Sequence, residues 1–522
     1  MRTFTSLIFL LLLNIPKVFP QHEQSNEGRS DPLGSVLFSQ TTAEKIDRLI
    51  TTYYQNRVFN GAVLVSRKGQ VIYEKAFGIA DREWDIPITI DSKFKIASLS
   101  KSFTAVLVLQ LAEAGKISLN GTIKAYCPDY KGVSGDSITI HQLLTHTSGI
   151  PGDIDPKEEA IQERLPHTLR EMVKYAESAD LLFKPGTGFS YSNLGYNILA
   201  YIVEQVSGKS LETALRENIT DPVGMLNTRQ FDNDRIESKL ARGYEYKLLY
   251  GVENAKMLDA SYCVGPGGMI STVEDLYQWD QALYFNRLFG KDLSIRMFTP
   301  YSSGKYGYGW FINKGKIPGM IDSVVIADHA GSINGFGSYM ARIMNDSIFV
   351  VVLKNHRSDT YIDPAYAPDI GRQIISILYG EAVSLPKKSV ASHIASLIGK
   401  NGIDSAIAEY HRVLKNYPDD YSLDESELNK LGIELYFKFK MAIEALKIFE
   451  VNMLQFPRSY NTYDSYAYIL MQKGDYLNAI KYYRKGLEIL DEYPEINNMN
   501  TVKEDAEKAL VYIKEMEEKI KK

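Results

Sequence analysis

The chain has 522 residues, of which 45% are hydrophobic and 24% are charged, and its formal net charge is -5. This length predicts more than one domain, and the composition is typical of a globular protein. The small negative charge argues against nucleic acid as the main partner, because binding to phosphates requires a basic surface.

The N-terminus has the pattern of an export signal. Arg2 supplies a positive charge, and the apolar run over residues 7–13 is too short to span a bilayer. We therefore predict a signal peptide over residues 1–20 and a flexible segment over residues 21–40. The mature protein is then expected to be secreted or periplasmic, with no transmembrane span. An uncleaved signal that anchors the chain in the membrane is the alternative.

Residues 41–380 combine strand patterns with helical patterns. Helical spacing of apolar residues and short β-rich runs beside turn residues predict two helices and two hairpins. The predicted helices cover residues 43–54 and 369–378, and the predicted strands cover residues 61–66, 71–77, 337–343 and 347–353. Strands at both ends with helical segments between them predict an α+β fold with an inserted helical subdomain.

A change of composition near residues 381–390 indicates a linker, and residues 391–522 are predicted to form a helical domain. This domain contains a repeat, in which an alanine is followed by an aromatic residue four positions later and, in two copies, by proline eight positions after that. The matching residues are Ala406, Tyr410 and Pro418, then Ala445, Phe449 and Pro457, then Ala479 and Tyr483.

The step between the last two copies is 34 residues, which is the period of tetratricopeptide helix pairs. In such a pair the small residue permits close packing, the aromatic ring fills the groove, and proline ends the second helix. The region resembles the tetratricopeptide family, and a plain helical bundle is the alternative. A final helix over residues 503–522 would then cap the stack.

The first candidate catalytic element is an S-x-x-K tetrad at residues 98–101, just before a nearly apolar helical stretch over residues 103–114. A helix that is apolar on all faces is buried, and residues three apart share a face. Lys101 therefore projects beside Ser98 into the interior, where burial favours the neutral amine. A neutral amine can accept the hydroxyl proton, so Ser98 is the predicted nucleophile. A serine and a lysine on an ordinary helix surface would have the same spacing.

The second candidate element is Tyr191 with Asn193, which follow a turn over residues 184–188. A phenol beside a cationic lysine can ionise more easily, so we expect Tyr191 to act as a base. The alternative is that the polar residues cap the predicted helix over residues 194–206, a role open to Ser192 and Asn193.

The third candidate element comprises His329, Gly331 and Ser332, which follow an apolar run over residues 324–327. A strand edge at this point can present a backbone N–H group to an oxyanion. Taken alone, His329 would be interpreted as an ordinary polar side chain at the end of a strand.

The order and spacing of these elements resemble the class C β-lactamases, the serine D-alanyl-D-alanine carboxypeptidases and the related esterases. Those proteins share S-x-x-K, Y-x-N and a third motif of the form K/H-T/S/A-G. Stretches at residues 141–149, 267–276 and 308–310 are also similar to segments of that family. The resemblance covers residues 41–380. It implies a β-lactamase/transpeptidase-like antiparallel sheet flanked by helices, with an inserted helical subdomain.

The resemblance also implies a role for each motif residue. Ser98 would be acylated, and Lys101 would accept its proton. Tyr191 would be the general acid/base that helps to protonate the leaving group and activates the deacylating water. Asn193 would position the substrate or the lysine side chain. The backbone N–H groups of Ser98 and Ser332 would form the oxyanion hole.

The third motif differs from that of true β-lactamases. Those enzymes resemble one another in having lysine at the position that His329 occupies in this chain. With Gly331 and Ser332, this histidine would form the substrate-binding strand and replace the cation. Because histidine is nearly neutral at physiological pH, we expect it to hold a substrate carboxylate less firmly than lysine. Efficient hydrolysis of β-lactams is therefore not expected.

Other chemistries have weaker support in the sequence. The nucleophile-elbow pattern G-x-S-x-G of Ser-His-Asp hydrolases does not occur. His141 and His146 lack the H-E-x-x-H pattern, so we interpret them as packing or capping residues rather than metal ligands. No phosphate-binding loop is present, and we predict no metal and no other cofactor. Cys127 and Cys263 could form a disulfide or remain free thiols, and their spacing does not decide between the two.

The sequence thus predicts a serine hydrolase that acts through an acyl-enzyme on Ser98. Its expected substrates are D-amino-acid peptides, esters or amides, with at most weak β-lactamase activity. The alternative is a catalytically weak penicillin- or peptidoglycan-binding protein whose helical repeats recruit a partner. Under both hypotheses a small molecule or peptide occupies the site, and the repeats offer a surface for a protein.

Overall fold

A computed structural model describes residues 41–154, 156–315, 323–358, 365–497 and 499–521. The predicted signal peptide and the flexible segment after it lie outside the described residues. Within the described ranges, no helix is both long enough and apolar enough to cross a membrane.

The strands are short except in the central sheet. In chain order they are β1 (Gly61–Arg67), β2 (Gln70–Phe77), β3 (Ile79–Asp81), β4 (Ile86–Pro87), β5 (Phe94–Lys95), β6 (Arg229–Gln230), β7 (Tyr244–Lys247), β8 (Gly251–Asn254), β9 (Met269–Ser271), β10 (Phe311–Gly315), β11 (Val324–Ile333), β12 (Phe336–Ile343), β13 (Ile348–Lys354), β14 (His356–Ser358), β15 (Lys388–Ser389) and β16 (Tyr421–Ser422).

The helices occupy the middle and the end of the chain. In chain order they are α1 (Thr42–Gln55), α2 (Ser100–Glu113), α3 (Ile123–Tyr126), α4 (Ile140–Leu144), α5 (Pro156–Gln162), α6 (Leu169–Ser178), α7 (Asn193–Ser207), α8 (Leu211–Leu215), α9 (Asp221–Val223), α10 (Val264–Gly267), α11 (Val273–Tyr284), α12 (Lys291–Met297), α13 (Ala367–Leu378), α14 (Val390–Asn401), α15 (Ile403–Asn416), α16 (Glu425–Phe437), α17 (Ala442–Gln455), α18 (Tyr460–Gln472), α19 (Tyr476–Glu492) and α20 (Met499–Lys521).

The central sheet has six antiparallel strands in the order β10-β11-β12-β13-β1-β2. Side chains alternate between its two faces, as the geometry of a strand requires. Ala62 and Leu64 join the core that contains α2, whereas Val63 and Val65 join the core formed with α1 and α13. Because helices cover both faces, the inner strands β1 and β13 are buried along nearly their whole length. This arrangement confirms the predicted α+β class with an antiparallel sheet.

The predicted hairpins and helices agree with the observed elements to within one or two residues at most ends. Two helices begin earlier than predicted: α20 begins at Met499 rather than at residue 503, and α2 begins at Ser100 rather than at residue 103. Ser98 lies before it, in a 3-10 turn over Ala97–Leu99. The apolar run marked only the part of the helix that is built from apolar residues. The first turn of α2 is polar in sequence but buried in the structure, as are all the residues from 100 to 109.

Successive helix pairs form the C-terminal part of the described chain, and α20 follows them. The alanines of the sequence repeat are fully buried, and so are the aromatic residues four positions later. In the second pair, a Cβ atom on Gly432 of α16 would lie 2.5 Å from the ring of Phe449 on α17. The small residue therefore allows the aromatic ring to fill the groove between the two helices.

The C-terminal helices share an apolar core with residues from the part of the chain before the predicted linker. Leu248 and Leu249, in the turn between β7 and β8, are 0% and 4% exposed and belong to the same apolar cluster as α14. A Cβ atom on Gly399 would lie 3.1 Å from the carbonyl oxygen of Leu249, so the helix approaches this turn closely. Residues Thr41–Lys522 accordingly form one compact unit.

Replacing Leu248 with alanine should lower the free energy of unfolding by about 2–5 kcal/mol, because it removes apolar contacts and leaves a cavity. Urea denaturation followed by circular dichroism measures this change. As a control, the same substitution at Leu226, which is 77% exposed, should have little effect. Equal stability of both variants would contradict the shared core.

Candidate active site

The turn that carries Ser98 has a constrained backbone. Ala97 has a φ of +49°, in the left-handed region that a residue with a side chain seldom adopts. The Oγ atom of Ser100 donates a 2.7 Å hydrogen bond to the carbonyl oxygen of Ala97. The Oγ atom of Ser338 on β12 donates a 2.8 Å bond to the carbonyl oxygen of Ile96. These contacts fix the turn between α2 and the sheet, and so fix the position of Ser98.

The amine of Lys101 lies at the centre of the site. Its Nζ atom is 3.0 Å from Ser98 Oγ, 2.7 Å from Asn193 Oδ1 and 3.0 Å from the carbonyl oxygen of Pro266. Burial lowers its pKa to about 7, against the opposing effect of the Asp153 carboxylate. A neutral amine has two N–H groups, and the amide and carbonyl oxygens can only accept. Its lone pair is therefore left for the hydroxyl of Ser98.

Asp153 sets the orientation of Asn193. The Nδ2 group of Asn193 donates a 2.8 Å hydrogen bond to Asp153 Oδ1, so its Oδ1 atom must face Lys101. The role of Asn193 in positioning the lysine stays a prediction, and its hydrogen bond to Nζ supports it. Asp153 was not predicted from the sequence, because its contact with Asn193 joins two distant segments and follows no local pattern.

Tyr191 lies against Ser98 and Lys101, but the pKa of its phenol is shifted in the direction opposite to the one expected from the sequence. Burial raises the pKa of its phenol, and a side-chain hydrogen bond with Ser98 opposes this effect only in part. Lys101 Nζ lies over the ring, 4.7 Å from the centroid. The expectation that the lysine would ease ionisation of the phenol was wrong, because desolvation outweighs that attraction. The environment of Tyr191 therefore favours the protonated phenol.

His146 supports the loop that carries Tyr191. It is fully buried, with a φ of +57°, and its Nδ1 atom accepts a 3.0 Å hydrogen bond from the backbone N–H of Ser192. Its ring centroid lies 4.4 Å from that of Tyr191. Ser192 in turn caps α7, since its hydroxyl accepts from the N–H of Gly195. The packing role proposed for His146 and the capping role proposed for Ser192 both agree with this structure.

The end of β11 forms the opposite wall of the site. A Cβ atom on Gly331 would lie 2.5 Å from the carbonyl oxygen of Ile96 and 2.2 Å from Ser338 Oγ, so only glycine allows the strand to approach the nucleophile turn this closely. Ser332 follows it and lines a cavity of about 190 Å³ together with Ser98 and Asn193. The third motif is thus next to the first two.

His329 does not supply a cation to this cavity. Its Nδ1 atom is 2.6 Å from the carbonyl oxygen of Ala330, which can only accept, so Nδ1 carries the proton. Its Nε2 atom is 2.9 Å from the hydroxyl of Tyr306 and accepts from it. Burial, with the nearby Lys101, lowers the pKa of His329 to about 3. The expectation that His329 replaces the cation of the third motif is corrected: it is a neutral packing residue.

Three residues considered in the sequence remain, namely His141 and the two cysteines. His141 Nδ1 lies 2.9 Å from the hydroxyl of Tyr308. Cys127 and Cys263 are free thiols, which decides the question that the sequence left open. Cys263 lines the cavity, and burial raises its pKa to about 11. Across the described ranges, no three His, Cys, Asp or Glu side chains are arranged to hold a metal ion.

A neutral lysine beside a serine, at the start of a buried helix that packs under an antiparallel sheet, defines a class of serine hydrolases. Residues 46–368 match the protein family described as Beta-lactamase, and the chain belongs to this family. The predicted relationship is confirmed.

Individual relatives agree with this assignment. Penicillin-binding protein 4* of Bacillus subtilis (strain 168) is 29% identical over 402 residues, which cover 72% of this chain and 83% of the relative. The octameric penicillin-binding protein homologue from Pyrococcus abyssi has a TM-score of 0.57 at 26% identity, over 67% of this chain and 80% of its own. A D-amino acid amidase from Ochrobactrum anthropi SV3 shares the fold, with a TM-score of 0.55 at 23% identity, over 64% and 97% of the two chains.

The pKa of Lys101 predicts how activity depends on pH. Hydrolysis of a small neutral ester should rise as pH increases through about 7, because only the neutral amine accepts the Ser98 proton. His329 is already neutral and Cys263 is still protonated in this range, so neither contributes a second step. Stopped-flow or steady-state kcat/KM values between pH 5 and 9 test this prediction.

Replacing Asp153 with asparagine should move the midpoint of that profile to lower pH. The amide can still accept from Asn193, but the carboxylate that favours protonated Lys101 is lost. Asp404→Asn, in the helical region and 84% exposed at its side chain, is the matched control and should leave the midpoint in place. An unchanged midpoint in the Asp153 variant would show that Asp153 has no electrostatic effect on Lys101.

Proposed function

We propose that the protein hydrolyses D-amino-acid peptides, esters or amides through an acyl-enzyme on Ser98, with at most weak β-lactamase activity. The observation that carries the proposal is the arrangement around Lys101 Nζ. Two oxygens that can only accept hydrogen bonds occupy its N–H groups, which directs its lone pair to Ser98 Oγ.

Acylation follows from this geometry. Ser98 Oγ attacks the substrate carbonyl carbon while its proton passes to Lys101. The backbone N–H groups of Ser98 and Ser332 stabilise the negative charge on the carbonyl oxygen. When the tetrahedral intermediate collapses, the bond to the leaving group breaks and the leaving group takes a proton from Lys101 by way of the Tyr191 hydroxyl. Water then attacks the ester with Lys101 as base, and Ser98 recovers its proton.

The charges of the cavity support amino-acid substrates. Asp153, Glu159 and Glu163 line the wall on the side of α5, and burial together with Asp153 raises the pKa of Glu159. Three carboxylates near one another favour a substrate that carries an ammonium group. True β-lactamases resemble one another in having a lysine cation at this position of the third motif. Because His329 is neutral, this chain lacks that cation, and we therefore expect weak hydrolysis of β-lactams.

The helical region supports a second role beside catalysis. The contact between Gly432 and Phe449, and the buried alanines of the repeat, are what tetratricopeptide pairs require. We propose that residues 391–522 bind a protein partner and that residues 41–380 form the hydrolase, joined by a linker at 381–390. From the export pattern of the sequence we also propose that the protein is secreted or periplasmic. Under the alternative, the site binds penicillin or peptidoglycan with little turnover.

Labelling with a fluorophosphonate or a fluorescent penicillin tests the nucleophile. The wild-type protein should become labelled, and Ser98→Ala should not, because the attacking oxygen is gone. Lys101→Ala should slow acylation by about 10³-fold or more, as expected for a residue that acts as a unit with the nucleophile. Lys124→Ala, on an exposed ion pair, is the control. A fully active Lys101 variant would remove the lysine from the mechanism, and an unlabelled wild type would favour the binding protein.

Removing residues 390–522 tests the proposed division of the chain. The truncated protein should still hydrolyse small esters, because Ser98, Lys101 and the cavity lie outside the deleted part. It should be less stable, since Leu248 and Leu249 become exposed at a cost of about 1.5–3 kcal/mol each. Adding Leu248→Ser and Leu249→Ser to the truncated protein should improve its solubility. A folded but inactive truncation would mean that the helices belong to the active site.

A further inference from the structure

We infer that the protein has a second binding site, for an uncharged and largely apolar molecule whose carbonyl or ether oxygen accepts a hydrogen bond from Arg342. The site is a cavity of about 1020 Å³ between α11, α12 and the ends of β11, β12 and β13 that lie away from Ser98. Among the described residues, none lines both this Arg342 cavity and the cavity at Ser98. Binding here does not depend on the proposed hydrolysis.

The Arg342 cavity and the nucleophile lie at opposite ends of the central sheet. Val325, near the start of β11, lines the Arg342 cavity, whereas Ser332, near the end of the same strand, lines the cavity at Ser98. The two residues are seven positions apart in an extended strand, so about 23 Å separates them. A molecule bound beside Arg342 therefore occupies a site of its own rather than an extension of the substrate site.

A buried ion pair forms the polar part of the cavity wall. The side chain of Arg342 is 4% exposed, and its Nε atom donates a 2.6 Å hydrogen bond to Asp280 Oδ1. Its Nη2 atom donates to the carbonyl oxygen of Asp280 at 3.4 Å. The third nitrogen, Nη1, is buried and has no hydrogen-bond partner among the described residues. Because a buried N–H group without an acceptor is unfavourable, a ligand oxygen that accepts from Nη1 gains binding free energy.

The charges of this wall favour an uncharged acceptor. Asp280 already balances the guanidinium, and its Oδ2 atom accepts a 2.9 Å hydrogen bond from Gln281 Nε2. A buried anion would place a second negative charge beside Asp280, which both desolvation and repulsion oppose. The other two cations of the wall, Lys68 and Lys291, are exposed, so water solvates them. A carbonyl or ether oxygen satisfies Nη1 without adding charge.

The rest of the wall is rich in large apolar side chains that are partly open to solvent. Tyr284, Phe285, Ile295 and Met344 all line the cavity and are between 38% and 58% exposed. Phe298 lines it as well, and its ring centroid lies 5.0 Å from the guanidinium carbon of Arg342. Exposed apolar side chains that gather around one concavity are typical of a ligand site, as is a volume near the upper end of about 300–1,000 Å³.

Prefolded binding of prodan, a propionyl dimethylaminonaphthalene, to the full-length chain tests the site. Prodan has an apolar ring system and one ketone oxygen, and its emission moves to shorter wavelength in apolar surroundings. It should bind saturably at one site per chain, and equally to the wild type and to Ser98→Ala. In competition with prodan, the analogue with a methylene in place of the carbonyl should bind about 10-fold more weakly, because it cannot accept from Nη1. The analogue with a carboxylate in place of the propionyl group should also bind more weakly.

Two variants locate the bound probe. Ser294 lies on α12 and lines the cavity, so the indole of Ser294→Trp should fill the space and abolish saturable binding. Ser405→Trp, at an exposed position of α15, is the matched control and should bind prodan as the wild type does. Arg342→Gln combined with Asp280→Asn replaces the ion pair by a neutral pair and leaves no buried charge unpaired. This double variant should bind prodan and the methylene analogue alike, and circular dichroism confirms that it is folded.

Each contrary result has a definite meaning. An absence of saturable binding, or binding that Ser294→Trp does not weaken, would overturn the site, and so would displacement of prodan by a penicillin that acylates Ser98. Equal binding of prodan and its methylene analogue to the wild type, or a double variant that keeps the preference for prodan, would overturn the role of Arg342. Tighter binding of the carboxylate analogue would overturn the uncharged class of ligand. A protein that binds prodan in this way but takes up no label at Ser98 would refute only the proposed hydrolysis.

Discussion

The active site depends on one lysine amine that is shielded from water and hydrogen-bonded in a fixed direction. Lys101 is fully buried, so its charged form is disfavoured, and its two permanent acceptors are the Asn193 amide oxygen and the Pro266 carbonyl oxygen. If water replaced either acceptor, the amine could turn and its lone pair would no longer face Ser98. The loops around the amine are therefore held by a network of directed hydrogen bonds rather than by packing alone.

Three separate parts of the chain meet at this amine. The nucleophile turn is fixed by Ser100 and Ser338, the tyrosine loop by His146, and the asparagine by Asp153. The central sheet provides the frame, because β11 and β12 both contact the turn before α2. A fold with helices on both faces of the sheet gives these loops a rigid base, and specificity is left to the residues at the cavity wall.

The sequence was informative where the signal is local. The tetrad at residues 98–101, the apolar helix after it and the two hairpins follow from spacing alone, and the cap at Ser192 follows from its residue type. The contacts of Asp153 with Asn193 and of His146 with Ser192 could not be predicted, because the partners lie 40 and 46 residues apart in the sequence. The direction of the pKa shift of Tyr191 was also out of reach, since desolvation depends on how completely other segments cover the ring.

The turn at Leu248 and Leu249 is connected to the cavity at Ser98 through two paired strands. These leucines are seated in the helical core, β7 leads directly into their turn, and β7 pairs with β14, which carries Arg357 on the wall of that cavity. A molecule that binds the helical stack and shifts this turn would also shift β7 and, through their pairing, β14. By thermodynamic reciprocity, substrate bound in the cavity would then change the affinity of the stack for that molecule by the same factor as the molecule changes the affinity for substrate. The two halves of the protein would report on each other's occupancy.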